Sequence, residues 1–248
     1  MTIAILTDLH ANREAVEACL EHAEKRGADR YVFLGDLVGY GADPEWVVQT
    51  VRRHVEQGAL VVQGNHDAAV AGSLREKLNP DARRVVDWTR GQLTAESVAF
   101  LGDMPMRHEE GPWLFVHANG WAPQDFEYIS GLLDAGRSMR ATRARITFCG
   151  HVHDQVLYHM GIQQRVEQFA PVAGSPVPLS ASRRWLAVAG SVGQPRDGNP
   201  AACYVTFDEL NNLLTFWRVP YDHDGAAAKI RAAGLPESLA RMLEGTIR

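Results

Sequence analysis

The chain has little of what marks several large protein classes. Among its 248 residues there are only three cysteines, Cys19, Cys149 and Cys203. The number is odd and no C-x-x-C spacing occurs, which argues against a disulfide framework. Each cysteine sits in an apolar context and reads as a buried, reduced thiol of a cytoplasmic protein. No apolar run approaches the roughly 20 residues that a membrane helix needs. The opening segment, Thr2 to Thr7, reads as a strand and not as a basic region followed by an apolar signal core. The expectation is a cytoplasmic protein with no membrane partner. Positive charge is not in surplus either: 25 Lys and Arg stand against 30 Asp and Glu, a formal net charge of -5. That balance disfavours a non-specific nucleic-acid binder. Internal repeats and low-complexity linkers are absent, and the Pro/Gly-rich stretch Pro171 to Pro178 is too short to separate domains. With 46% hydrophobic residues the chain can bury a full core, and one domain over 1–248 is expected.

What is present is a set of metal-ligand-type residues at the carboxyl ends of five strand-like runs. Asp8 and His10 follow Ile3-Ala4-Ile5-Leu6, and Asp36 follows Tyr31-Val32-Phe33-Leu34. Asn65, with His66 beside it, follows Ala59-Leu60-Val61-Val62. His117 follows Trp113-Leu114-Phe115-Val116, and His151 and His153 follow Ile146-Thr147-Phe148-Cys149. Strands of one sheet bring such ends to one edge, where α/β folds place their ligands. Residues distant in sequence should therefore converge on one pocket.

The first half alternates strand and helix, which argues for parallel pairing. Ala15, Val16, Cys19, Leu20 and Ala23 form one apolar stripe on a helix from about Arg13 to Arg26, with Asn12 placed to cap it and Gly27 to end it. A second helix runs from Pro44 to about Glu56, with Pro44 suited to its first turn. Residues 68–104 read as a helical excursion, with helices at Asp81–Arg90 and Thr94–Leu101. The long connection His117 to Arg145 holds Trp121, Phe126 and Tyr128 and could wall the site. The last third reads as strands at Gln155–Met160, Gln164–Phe169, Trp185–Ala189, Ala202–Phe207 and Leu213–Val219. Asn211-Asn212 signals a hairpin turn, and two terminal helices close the chain, at about Ala226–Ala233 and Pro236–Leu243.

As chemistry, two carboxylates, four imidazoles and an amide in one pocket suit a pair of divalent transition-metal ions: manganese, iron, zinc, cobalt or nickel. Asp36 can place one oxygen on each of two ions about 3.5–4 Å apart. Two dications less two carboxylates and a bridging hydroxide leave about one positive charge, which fits an anionic phosphate ester. His151-x-His153 must lie on a turn, because alternate residues of an extended segment diverge, and Gly150 permits one. His66 directly follows Asn65, so both are not expected on one ion; beside a bound phosphate it can serve as proton donor to the leaving oxygen. Asp67 either orients that imidazole or caps the following helix.

Asp8-Leu9-His10, Gly35-Asp36, Gly64-Asn65-His66-Asp67, Val116-His117 and Gly150-His151-Val152-His153, in that order, resemble the five signature blocks of the calcineurin-like metallophosphoesterase superfamily. Gly190-Ser191-Val192-Gly193-Gln194-Pro195-Arg196-Asp197-Gly198 resembles a further signature of its small bacterial and archaeal branch. The resemblance implies a two-sheet β-sandwich flanked by helices, a four-layer α/β/β/α fold. It implies that Asp8, His10, Asp36 and His153 bind one metal, and that Asp36, Asn65, His117 and His151 bind the other. It makes His66 the general acid of a phosphoric ester hydrolase in which a metal-bound hydroxide attacks phosphorus.

One departure bears on the substrate. The phosphoprotein phosphatase branch continues its second block with an Arg that clamps phosphate, and here the matching residues are Gly39-Tyr40-Gly41. Arg196 is the candidate substitute clamp; its alternative is a local pair with Asp197. Asn12 could contact substrate or simply cap its helix. Tyr40, Trp121 and Phe126 could stack on a nucleobase or pack the walls. His22, His54, His108, His159 and His223 read as solvated surface imidazoles. The expected substrate is a small phosphate mono- or diester. Nucleotide or dinucleoside polyphosphate hydrolysis and relaxed Ser/Thr protein phosphatase activity are alternatives within enzymes. A non-catalytic scaffold and a nuclease are alternatives in other classes.

Overall fold

The structure, a computed structural model, describes residues 1–74 and 80–245. Two six-stranded mixed sheets face each other, with helices on both outer faces. The first sheet is ordered β3 (Leu60–Val61), β2 (Arg30–Phe33), β1 (Thr2–Leu6), β11 (Ala202–Asp208), β12 (Leu213–Val219) and β9 (Pro176–Pro178). The second is ordered β4 (Arg107–Glu110), β5 (Trp113–Val116), β6 (Ile146–Cys149), β10 (Arg184–Ala189), β7 (Gln155–Met160) and β8 (Val166–Phe169). Strands β1, β2 and β3 run parallel, as do β5, β6 and β10. The carboxyl ends of the five ligand-bearing runs therefore meet at one edge of the sandwich.

The alternation of side chains along each strand builds the layers. In β1, Ile3 and Ile5 point between the sheets, while Ala4 and Leu6 point to the helices. The inner core is completed by Phe115, Phe148, Phe207 and Phe216. The outer face of the first sheet is covered by α1 (Arg13–Lys25) and α2 (Pro44–Glu56), through residues such as Val16, Cys19, Val47 and Val51. On the second sheet, Leu114, Val116 and Leu186 meet Ala135 and Met139 of α6 (Leu132–Arg140). All three cysteines are buried and free. Among the described residues, no helix is long and apolar enough to cross a membrane.

The expected helical excursion, of which residues 75–79 lie outside the described ones, contains α3 (Asn65–Ala71), α4 (Pro80–Gly91) and α5 (Ala95–Asp103). Its first helix starts earlier than the apolar pattern suggests, at Asn65 itself. Ala69, Val70, Val86 and Leu101 join the same core as α2. The chain ends in α7 (His223–Ala232) and α8 (Glu237–Leu243), which pack on each other through Ala227, Ile230 and Ala240.

Three further elements differ from the sequence expectation. Strand β4, Arg-His-Glu-Glu, carries no apolar pattern because it is an edge strand; Arg30 reaches across from β2 to pair both nitrogens with Glu110, each at 2.7 Å. Strand β9 contains two prolines, tolerated because it too is an edge. Helix α6 occupies the middle of the supposed connecting loop. His22 and His54 are half-buried and not freely solvated. The His22 Nδ1 lies 2.7 Å from the Tyr204 hydroxyl, and His54 packs on Tyr31 and Phe33.

Candidate metal centre

The loops after β1 and β2 zip together: Asp8 N donates to Gly35 O at 3.0 Å, His10 N to Asp36 O at 2.9 Å and Ala11 N to Leu37 O at 2.9 Å. Asp8, His10 and Asp36 thereby sit on adjoining tight turns. These three, with His151 and His153, adopt left-handed backbone, with φ between 47° and 69°. Such conformations cost non-glycine residues about 1–2 kcal/mol each, and concentrate where a structure must aim side chains at one point. The turn after β6 is made by His151 and His153 themselves. Gly150 serves close approach instead: a Cβ there would lie 1.9 Å from Thr7 Oγ1 and 2.3 Å from Asp8 Oδ2. Gly64 is likewise pressed on Asp36, with Oδ1 2.1 Å from where its Cβ would be.

All seven residues singled out at the strand ends come together. The six carboxylates and imidazoles are buried; the most exposed, His151, is 5% accessible. Asn65 and His66 are half-buried in the first turn of α3. Each carboxylate has one oxygen held by the protein. Asp8 Oδ2 accepts from Thr7 Oγ1 (2.7 Å) and His151 N (2.9 Å), and Asp36 Oδ1 accepts from His66 N (2.8 Å). The other oxygens face the imidazoles. Asp8 Oδ1 lies 3.2 Å from His153 Nε2 and 3.8 Å from His10 Nε2. Asp36 Oδ2 lies 3.4 Å from His117 Nε2 and 3.9 Å from His10 Nε2, between the two groups.

The imidazoles are oriented from behind. His10 Nδ1 faces Val38 O at 3.2 Å, His117 Nδ1 faces Leu34 O at 2.8 Å, and His153 Nδ1 faces Gln194 O at 2.6 Å. A carbonyl only accepts, so each Nδ1 carries the proton, and in the neutral ring Nε2 is a lone pair. Those Nε2 atoms converge. His10 Nε2 and His153 Nε2 are 3.1 Å apart. His117 Nε2 is 3.1 Å from both Asn65 Oδ1 and His151 Nδ1. Asp8 Oδ1 is buried with no hydrogen-bond donor. Acceptors crowded against acceptors need positive charge between them, and the nitrogen and oxygen donor set, free of thiolate, suits divalent transition metals. Ligand atoms cluster as Asp8, His10 and His153, and as Asp36, His117 and His151.

Electrostatics agree with this donor set. Burial would raise the Asp8 and Asp36 carboxyls, but His153 at Asp8, and His117 and His66 at Asp36, outweigh it and hold both below the usual range. Burial lowers His10 and takes His151 down to about 4, so both rings are neutral near pH 7. His117 is the exception: burial opposes its charge, yet Asp36 and Asp8 raise it to about 9.

The remaining residues divide. His66 places Nε2 3.0 Å from the Tyr40 hydroxyl, and it also falls within a cluster with His10 and Asp36. Asp67 does not bond the His66 ring. It accepts from Gly64 N (3.0 Å) and Leu37 N (2.9 Å), capping α3 and fastening the Asp36 loop. Asn12 caps α1 by accepting from Ala15 N, while its amide donates to Gly193 O and Tyr221 Oη, leaving no free donor for a ligand. Arg196 is half-buried beside Tyr40, its Nη2 3.4 Å from Tyr40 Oη and 3.3 Å from Gln194 Oε1. Asp197 pairs with Arg218 instead. Tyr40 packs on His10 and His66, Trp121 lies under Arg137, and Phe126 meets His117 edge-on. Tyr128 stacks on His151 at 4.0 Å and is half exposed at the rim.

Sequence reasoning did not reach Ser191 and the Gln194 carbonyl. Ser191 Oγ and Gly193 N both donate to Asp8 O, at 2.9 and 2.8 Å, and Gln194 O holds His153. The segment after β10 thus straps both metal-facing loops, and its Gly-Ser-Val-Gly-Gln sequence was the available signal.

A two-sheet α/β sandwich with a buried Asp/His cluster at one sheet edge defines the metallophosphoesterase class. The chain belongs to the calcineurin-like phosphoesterase superfamily, whose domain description matches residues 1–212. It is 36% identical to a metallophosphoesterase from Sphaerobacter thermophilus of known structure, with a TM-score of 0.87 over all of both chains. It shares the fold of protein PH1004 from Pyrococcus horikoshii OT3, with a TM-score of 0.79 at 20% identity over 98% of this chain and 97% of that one. It is also 32% identical to the uncharacterized protein MJ0912 of Methanocaldococcus jannaschii, over 97% of this chain and 96% of that one.

Proposed function

We propose that this protein is a binuclear metal-dependent phosphoesterase acting on small phosphate mono- or diesters. The observation that carries the reading is the inward-facing set of ligand atoms, above all His10 Nε2 against His153 Nε2 with Asp8 Oδ1 beside them. Asp8, His10 and His153 would hold one ion, and Asn65, His117 and His151 the other. Asp36 stands between them, its Oδ2 facing imidazoles of both groups. Divalent ions there supply Lewis-acid polarisation of a phosphoryl oxygen and acidify water.

The chain's own groups do the rest. The carbonyls of Val38, Leu34 and Gln194 fix three imidazole tautomers, which keeps ligand lone pairs aimed without reorganisation. His66, packed against Tyr40 and close to His10 and Asp36, is placed to give a proton to a departing alkoxide. Arg196, beside Tyr40, is placed to hold a phosphoryl oxygen in the role that Gly39-Tyr40-Gly41 leaves open. The kinship with the Sphaerobacter thermophilus metallophosphoesterase supports the reaction class.

The test is hydrolysis of a panel of monoesters, diesters, nucleotides and phosphopeptides by purified protein loaded with manganese, iron, zinc, cobalt or nickel. Turnover of small esters that vanishes with chelator and returns with metal is expected. Inertness toward every phosphorus ester would contradict the proposal.

A further inference from the structure

A second cleft, of about 510 Å³, opens beside the centre and is lined by Asp154, Gln155, Pro171, Arg196, Asp197 and Arg218. That volume is in the range of small-molecule sites. Its polar groups satisfy one another only in part. Asp197 is taken by Arg218. The Gln155 amide is engaged by the carbonyls of Ala189, Tyr204 and Trp217. Two groups remain. Arg196 contacts only the Tyr40 hydroxyl and the Gln194 side chain, and no carboxylate among the described residues pairs with it. Asp154 has Oδ1 buried with no hydrogen-bond partner. An acid and a base line one cleft, each unpaired, and neither closes on the other.

Their position is fixed by the centre itself. Asp154 follows His153, whose Nδ1 is bound to Gln194 O, and Arg196 lies two residues beyond Gln194. The cleft therefore adjoins the Asp8, His10 and His153 half of the site, through Arg196 at Tyr40 and Tyr40 at His10. A ligand that complements it offers an anionic acceptor to Arg196 and a hydroxyl or amino donor to Asp154.

We propose that this cleft is the leaving-group subsite, selecting phosphate esters of donor-bearing alcohols of nucleoside size. Arg196 takes a phosphoryl oxygen, and Asp154 takes a hydrogen bond from the alcohol portion. The inference rests on the phosphoesterase reading and adds a substrate class to it. A carboxylate oxygen that a ligand strips of water without pairing is costly, so a cleft lined by Asp154 discriminates against ligands lacking the donor.

The test is equilibrium binding to metal-loaded protein with three probes that are not turned over: the phosphonate analogues of adenosine monophosphate and of phenyl phosphate, and inorganic phosphate. Wild type should bind the nucleotide analogue about tenfold or more tightly than the phenyl analogue, the margin of one discriminating hydrogen bond. Asp154→Ala should erase that margin, and Asp154→Asn, which keeps one acceptor, should reduce it less. Arg196→Gln should weaken all three probes together. Metal content and thermal unfolding of each variant establish that it is folded and loaded. No margin in wild type, a margin that survives Asp154→Ala, or parallel loss of all three probes in Asp154→Ala would overturn the inference. The last outcome would mean that Asp154 acts only through His153. Binding and hydrolysis separate the two proposals. Ester turnover without a nucleotide margin removes the subsite alone, and a margin without any turnover removes the phosphoesterase reading alone.

Discussion

His10 and His153 meet nitrogen to nitrogen, Nε2 to Nε2 at 3.1 Å, although 143 residues separate them. Each turns its Nδ1 to a backbone carbonyl, of Val38 and of Gln194, and so presents a lone pair to the other. Two lone pairs that face each other gain nothing from that contact, and Asp8 Oδ1 beside them adds a third acceptor. The arrangement makes sense around a cation, and a cation there has measurable consequences.

Asp36→Asn should lower metal content and ester hydrolysis together, because Asp36 Oδ2 faces imidazoles of both groups. Metal analysis after dialysis, alongside steady-state rates, checks this. A loss in kcat/KM of about 100-fold or more is expected, at or beyond the upper end of the effect of removing a supporting group around a metal. Full turnover in the variant would count against a bridging role.

His66→Ala should keep its metal and lose rate, by about 100-fold or more for substrates with poor leaving groups and by less for nitrophenyl esters. Loss of metal in this variant would instead make His66 a ligand, a role its closeness to His10 and Asp36 makes worth measuring.

Metal uptake should be coupled to a proton at His117. In the metal-free protein its ring is raised to about 9, so it is protonated at pH 7 and must lose that proton to ligate. The apparent association constant should therefore rise about tenfold per pH unit from pH 7 and level off near 9. His151, at about 4, and the two acidic carboxyls are already deprotonated there and add no slope. The same shift has a consequence for metal-free stability. The folded-state value lies above the unfolded one of about 6.5, so the contribution is present below pH 6.5 and is lost as pH rises to about 9. Calorimetric metal titrations in buffers of different ionisation enthalpy count the proton. A pH-independent affinity would remove the coupling.

Gly150→Ala should be among the most damaging single-methyl changes in the chain. The added Cβ would fall on Thr7 Oγ1 and Asp8 Oδ2, both part of a buried network with no room to yield. Lowered metal affinity and a fall in Tm are expected. Gly58→Ala is the comparison: its Cβ meets nothing within 4 Å, and its cost comes only from left-handed backbone. Equal effects from the two would contradict the close-approach account.

Much of the site was legible because its residues come at the ends of apolar runs. Ile3 to Leu6 and Ile146 to Cys149 announce strands, and in a parallel arrangement the residues just past each strand land on the shared edge. Asn12 and Pro44 announced helix starts, and α1 and α2 begin beside them. The illegible parts share a physical reason. Strands β4 and β9 are edges, so packing does not impose a period on Arg107–Glu110 or exclude proline from Pro176–Pro178. The groups that orient the imidazoles are carbonyls of Leu34, Val38 and Gln194, which every residue type possesses. The left-handed turns at His151 and His153 are held by surrounding contacts, and local propensity would have assigned them to Gly150.

The most direct measurement is anomalous diffraction from crystals of the protein loaded with manganese. The account predicts two peaks about 3.5–4 Å apart, one among Asp8, His10 and His153, the other among Asn65, His117 and His151, with Asp36 touching both. No bound metal at this sheet edge, or ions held elsewhere on the chain, would contradict it.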